Sequence, residues 1–377
     1  MLDWALAAAL ALAAPSEPAH AATSPSRTAA GTATVPDAAD ILALPPGLQA
    51  ELHARVVAPG GSRDQKLQRL ADYVFGDDGL ALQYDNEVTR TVAQTWRDRR
   101  ANCLSFTLLF VALARAAGLE AQVQEVGEVL AWYRDAGVIY NANHVNAGIR
   151  NGVQRQTVDL DSNILATRDR PRGVSDARAI AHFHNNRGAE LMAAGDPAAA
   201  RASLDASLAS DAGFVPAWNN LGVLLLRQGD TRGAERAYLA ALRLQPEHGP
   251  TLNNLVALYR RTGDLRQADR YAWRLEKAQR SDPFHQFMRA LECENGGDYA
   301  CAIARYRRAI RLQDGEHQFH FGLARAYFLS GDPDRAQREL QRAYALGSSD
   351  TVRSVYRRKL EHLRRWREQA TTGAPAR

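Results

Sequence analysis

Trp218-Asn219-Asn220-Leu221-Gly222, followed by Leu225, Gly229, Asp230, Ala234, Tyr238, Ala241 and Pro246, is the fullest copy of a unit that recurs through the C-terminal half of the chain. Its Gly-Asp pair returns at Gly195-Asp196, Gly229-Asp230, Gly263-Asp264, Gly297-Asp298 and Gly331-Asp332, each 34 positions after the last. Five positions beyond each glycine stands an alanine: Ala200, Ala234, Ala268, Ala302 and Ala336. A fixed period of this length marks tandem supersecondary units, each too small to bury its apolar face alone. The recurring small residue predicts a place where two helices approach closely, and the Gly-Asp pair predicts the turn between them.

Residue by residue, this unit resembles the tetratricopeptide repeat, and the resemblance covers about 181–350 with five units. The glycine expected in the first helix is present as Gly188 and Gly222 and becomes Val256, Ala290 and Ala324, so the later units are less regular. The resemblance implies an all-α superhelix of stacked helix pairs with a concave groove that takes a protein or peptide partner. Asn186, Asn220 and Asn254 fall at one equivalent position in three successive units. A side-chain amide pairs with both a C=O and an N–H of an extended peptide. The family often lines its groove at that position, which makes these residues a peptide-binding ladder; a helix-to-helix structural role is the other reading.

The 377 residues exceed one ordinary core, and 24% charged with 46% apolar residues suits a folded chain of two or more domains. The net charge of +5 is small for this length. Arg353, Arg357, Arg358, Lys359, Arg364, Arg365 and Arg367 interleave with Val355, Leu360, Leu363 and Trp366, which predicts a basic capping helix over 351–370 with a solvated charged face. No nucleic-acid partner is expected from it. At the other end, the apolar run Ala5–Ala14 is much shorter than the ~20 residues of a membrane span, so none is expected. With Ala19-His20-Ala21 as a small-x-small site, residues 1–21 read as a signal peptide, although Met1-Leu2-Asp3-Trp4 lacks the usual positive charge. Export would place the protein in the periplasm or outside the cell; a cytoplasmic protein is the alternative. Residues 22–45, rich in Ala, Ser, Thr and Pro, read as a linker.

Between linker and repeats, residues 46–175 change pattern. Leu48–Tyr73 and Thr89–Arg100 read as helices, and a third begins at Cys103 and stops at Gly118. The runs 121–126, 145–149 and 156–160 carry the alternation or β-formers of strands. A thiol at the head of a helix lies among unpaired N–H groups at the positive end of the dipole, which favours its thiolate. Cys103 holds that place, and His144, Asp159 and Asp161 follow downstream. Asn102-Cys103, with Ala114-Arg115-Ala116-Ala117-Gly118-Leu119-Glu120-Ala121 closing the helix, looks like the bacterial transglutaminase-like core, a papain-like α+β fold of helices and antiparallel sheet. That resemblance spans roughly 65–165 and implies a catalytic set of Cys103, His144 and Asp159. Asp161 shares a face with Asp159 on a strand and is the alternative third member.

In that chemistry the imidazole takes the thiol proton, the carboxylate fixes the tautomer, and the thiolate attacks an amide carbonyl to give a thioester. The Cys103 N–H is available to the oxyanion, and Gln94 or Trp96, shortly upstream, would add a donor. Water as second nucleophile makes a peptidase or amidase; an amine makes a cross-linker. The expected function is an exported cysteine hydrolase whose repeats hold a protein or peptide. The alternatives are a non-catalytic repeat scaffold and an acyltransferase forming isopeptide links. No cofactor is expected, and no metal, because His182 and His184 diverge on a helix. Cys293 and Cys301 flank the turn at Gly297, a possible disulfide in an oxidising compartment and otherwise two packing thiols.

Overall fold

The structure, a computed structural model, describes residues 35–126, 132–135, 138–141, 145–151, 154–158, 171–347 and 350–372. Residues 1–34, with the expected signal peptide, lie outside the described residues. The helices of the N-terminal domain start where a short polar side chain can satisfy the orphan N–H groups of a first turn. α1 (Ala38–Leu42), α3 (Arg63–Phe75) and α4 (Val92–Asp98) each open on a capping box, formed by Asp37 with Asp40, Ser62 with Gln65, and Thr91 with Gln94. α2 (Pro46–Leu52) starts on proline and runs into a single π-type turn, His53–Val57. The helix expected over Leu48–Tyr73 is therefore two. Gly60 and Gly61, at φ +69° and +94°, break it, and Ser62 starts it again. A second correction concerns the expected linker: α1 lies inside 22–45 and its Ile41 is fully buried, because the Asp37 cap lets one short helix press an apolar residue onto the domain.

α5 (Cys103–Ala116) is the axis of this domain. Asn102 caps it, accepting the Ser105 N–H at 2.8 Å, and Gly118 ends it at φ +80°. Nearly every residue from Leu104 to Ala114 is buried. α5 lies on an antiparallel sheet of order β7-β6-β3-β8, made of β3 (Glu120–Glu125), β6 (Val145–Asn151), β7 (Gln154–Val158) and β8 (Arg172–Gly173). β3 pairs with β6 from Glu120↔Arg150 to Glu125↔Val145, and β6 with β7 from Ala147↔Val158 to Asn151↔Gln154. Phe106, Leu109 and Phe110 from the helix and Val123, Val145, Ala147 and Ile149 from the sheet share one apolar core. Two short parallel strands, β1 (Gln83–Tyr84) and β2 (Arg100–Ala101), and a hairpin of β4 (Trp132–Asp135) and β5 (Val138–Asn141) complete the domain.

Ten helices in five antiparallel pairs follow: α6 (Asp176–Ala193) with α7 (Pro197–Ser210), α8 (Val215–Arg227) with α9 (Thr231–Leu244), α10 (Gly249–Thr262) with α11 (Leu265–Ser281), α12 (Pro283–Asn295) with α13 (Tyr299–Leu312), and α14 (His317–Leu329) with α15 (Pro333–Leu346). The Gly-Asp period has a local cause. All five glycines adopt φ between +77° and +86°, and each following aspartate caps the second helix of its pair, accepting the N–H three residues on. A Cβ at any of these glycines would meet nothing within 4 Å, so the requirement is conformational and not steric. The five recurring alanines are all buried where paired helices touch. α16 (Asp350–Thr372) buries Tyr356, Leu360 and Leu363 against the last pair, while its Arg367 reaches Asp334 on the outside.

The array begins on the domain itself. Ala179, Ile180 and Phe183 of α6 belong to the domain's apolar core. Arg115 grips Asp176 with two 2.8 Å bonds, and His182 Nε2 lies 2.8 Å from Glu125 Oε1. Burial disfavours the Glu125 carboxylate, but His182, Arg178 and Arg172 outweigh it and hold its pKa below 4.5.

Candidate functional site

Cys103 is the first residue of α5, partly exposed and in the free thiol state. Its own N–H, like the others of a first turn, has no carbonyl one turn back to bond, so it remains available to an anion. The head of the helix is braced from two sides. Asn102 Nδ2 donates to Thr89 Oγ1 at 2.8 Å while its Oδ1 caps Ser105, and the Arg90 N–H donates to Ser105 Oγ at 2.8 Å. Arg90 is itself fixed by Asp85 at 2.8 Å and Asp98 at 3.3 Å. Burial pushes the Asp85 carboxyl up, but the Glu87 N–H and the Arg90 guanidinium outweigh it and hold its pKa below 3.8. The Thr89 N–H in turn donates to Glu190 Oε1 of α6 at 2.8 Å, and Arg187 holds the other oxygen at 2.5 Å. A continuous polar chain therefore runs from the cap of the cysteine helix to the first helix of the array.

One turn into α5, Thr107 Oγ1 lies 2.7 Å from the Cys103 carbonyl and 3.3 Å from that of Val145. Val145 opens β6, and Val158 closes the adjacent antiparallel β7 two pairs away, opposite Ala147. The head of α5, the start of β6 and the end of β7 thus meet at one edge of the sheet. His144, Asp159 and Asp161, the residues next to those strand ends, lie outside the described residues. Asn146, two positions past His144, is buried and its Oδ1 has no hydrogen-bond partner among the described residues.

The two upstream oxyanion candidates are placed differently. Gln94 is exposed and gives its Oε1 to the Thr91 N–H at 3.0 Å, as the capping box requires. Trp96 is half-buried with its ring over Gly47, where a Cβ would come within 2.8 Å of the indole, and its buried Nε1 has no hydrogen-bond partner among the described residues. Of the asparagines, Asn220 donates to Asn185 at 2.9 Å and Asn254 to Asn219 at 3.0 Å, with Thr251 adding a bond to Asn219. Both are buried, and these bonds run from helix to helix; Asn186 is half-buried. Cys293 and Cys301 form a disulfide with Cα atoms 5.8 Å apart, closing the ends of α12 and α13. His182 is buried against Glu125, and His184 is buried with its pKa lowered by desolvation. Thr89, Arg90, Ser105 and Glu190 carried no sequence signal; only the N-cap preference of Asn102 pointed toward this cluster.

Residues 50–144 match the family model of the transglutaminase-like superfamily, and 185–249 and 287–351 match that of the tetratricopeptide repeat. The chain therefore carries a transglutaminase-like domain followed by tetratricopeptide repeats. No curated protein matches it. Among solved structures it is similar to TTC0263, a thermophilic TPR protein of Thermus thermophilus, at 22% identity over 48% of this chain and 98% of that one, TM-score 0.27. It is also similar to YrrB, a TPR protein with an unusual peptide-binding site, at 16% identity over 46% and 90%, TM-score 0.25. MamA from Desulfovibrio magneticus RS-1 matches at 18% identity over 45% and 96%, TM-score 0.25. No helix among the described residues is long and apolar enough to cross a membrane.

Proposed function

We propose that the protein is an exported cysteine hydrolase of the peptidase or amidase type, with Cys103 as nucleophile, His144 as general base and Asp159 orienting the imidazole. The repeat array binds the protein or peptide on which it acts. The observation that carries the reading is the meeting of the α5 head with the start of β6 and the end of β7, since His144 and Asp159 adjoin those two strand ends in sequence. In the reaction the imidazole takes the Cys103 proton. The thiolate adds to the amide carbonyl, and the oxyanion is held by the Cys103 N–H. Collapse breaks the C–N bond, the imidazolium protonates the leaving amine, and water activated by the same imidazole hydrolyses the thioester. Export fits the Cys293–Cys301 disulfide, a bond that persists in oxidising compartments.

The test is the pH dependence of Cys103 alkylation by a small electrophile, with Cys293 and Cys301 replaced by serine so that one thiol reports. Reaction well below the free-thiol pKa of about 8.5, lost in His144→Ala, is expected, together with amine release from peptide amides that disappears in Cys103→Ala. Reaction like an ordinary thiol in both proteins would refute the dyad. Uptake of an added amine in place of hydrolysis would assign the acyltransfer chemistry.

A further inference from the structure

The apolar interior of the array is not continuous. One cluster runs from Met192 to Tyr271 with Leu275 and Ala278 at its edge, and a separate one begins at Phe284. The interruption falls between the third and fourth helix pairs. There α11 and α13, the second helices of successive pairs, flank a cavity of about 590 Å³ lined by Arg280, Gln286, Cys301, Ala304, Arg305 and Arg308. A smaller neighbour of about 260 Å³ shares Arg280, Gln286 and Arg305 and adds Arg289, His285 and Glu276. Four arginines thus face one glutamate across two adjoining cavities.

The arginines differ in how they are held. Arg305 donates to Oε1 of Gln286 at 3.0 Å, and that buried amide donates to the Gln279 carbonyl at 2.9 Å, so the floor of the cavity orients the guanidinium. Only one of its five N–H donors is used there. Among the described residues Arg308 hydrogen-bonds only the Arg280 carbonyl, at 3.5 Å. Neither Arg305 nor Arg308 has a carboxylate partner among the described residues. Arg280 and Arg289 pair with Glu276 and Glu292 of their own helices in exposed ion pairs, the kind an incoming carboxylate exchanges with little loss. The Cys293–Cys301 disulfide ties the wall helix α13 to the floor helix α12.

We propose that this cleft is a docking site for an acidic segment of a partner protein, a stretch of consecutive Asp and Glu residues. The inference rests on the reading of the array as the partner-binding part of the chain, and names the chemistry of that partner. Guanidiniums prefer planar carboxylates bound through two parallel N–H donors. An extended chain turns alternate side chains to one face, so an acidic run offers several carboxylates to adjoining cavities.

The experiment uses the full chain carrying Cys103→Ala, so that no turnover interferes, and a fluorescent peptide with six consecutive glutamates. The expected result is salt-sensitive binding that weakens about tenfold in Arg305→Gln/Arg308→Gln and less in Arg305→Lys/Arg308→Lys, which keeps charge but loses the fork. Arg232→Gln/Arg236→Gln on α9 makes the same change in net charge and should leave binding unchanged. Absence of binding, equal weakening in both glutamine doubles, or displacement of the peptide by tripolyphosphate at matched charge would overturn the proposal. Hydrolysis by the wild-type chain is measured separately. Peptide binding without hydrolysis refutes only the catalytic reading, and hydrolysis without peptide binding refutes only this one.

Discussion

Replacing Glu190 by alanine should loosen the head of the cysteine helix from the far side of a domain boundary. The Glu190 carboxylate accepts the Thr89 N–H at 2.8 Å, and Thr89 is only 1% exposed, so this charged acceptor is what satisfies the amide in the closed structure. A hydrogen bond to a charged group contributes about 1.5–3 kcal/mol, and each 1.4 kcal/mol is a factor of ten. The exchange protection of the Thr89 amide should therefore fall about ten- to hundredfold in Glu190→Ala. Glu190→Gln keeps an acceptor oxygen while losing the ion pair to Arg187, and should retain most of that protection. Because Thr89 Oγ1 accepts Asn102 Nδ2, the alkylation rate of Cys103 should change in the same order, alanine more than glutamine. The assay is amide hydrogen exchange resolved at Thr89. An unchanged Thr89 amide in Glu190→Ala would refute the polar chain from array to thiol.

Burial alone pulls the His248 imidazole from 6.5 down to about 4. The unfolded chain therefore takes up a proton near 6.5 that the folded chain refuses until about 4, and stability is lost as pH falls through that window, by about 3 kcal/mol in all. Unfolding free energies measured against pH should show the wild type losing this amount relative to His248→Gln, and parallel curves would refute the assignment. The Arg325 guanidinium is buried against Glu294, which also accepts from Tyr306 at 2.7 Å. Arg325→Met should cost about 3–5 kcal/mol in denaturant unfolding by stranding a buried carboxylate, and Arg325→Met with Glu294→Leu should cost less than the single change. At Gly222 a Cβ would sit 2.4 Å from the ring of the buried Tyr238, so Gly222→Ala should lose about 1–3 kcal/mol. Gly249→Ala, with nothing within 4 Å, should be neutral or stabilising by the same measurement.

Which parts of this architecture were legible in the sequence follows from the distance over which each cause acts. The Gly-Asp period was readable because a left-handed glycine and an aspartate capping the N–H three residues on are demands met within one turn of chain. The Asn102 cap and the thiol placed by it are local in the same sense. The helix break at Gly60-Gly61 is local too, and a capping signal at Ser62 with Gln65 was there to be read. The Thr89–Glu190 bond joins residues 101 apart, and nothing in the pattern of a helix distinguishes a glutamate that faces water from one that closes a distant loop. The same holds for the asparagines, whose bonds connect residues 35 apart on successive first helices.

α6 shows what such long-range contacts change. Its residues Ala179–Asn185 are buried without interruption, and seven consecutive residues cover every side of a helix. Ile180 and Phe183 serve the N-terminal domain, while the Ala181 carbonyl accepts from Ser207 and Ala181 packs with Phe214 and Ala217 of the array. The first repeat therefore uses this stretch of its first helix to fasten the array to the cysteine domain, and it has no free face there to offer a partner. The same helix reaches the thiol from its far end, where Glu190 anchors Thr89 and, through it, the cap of the helix that carries Cys103.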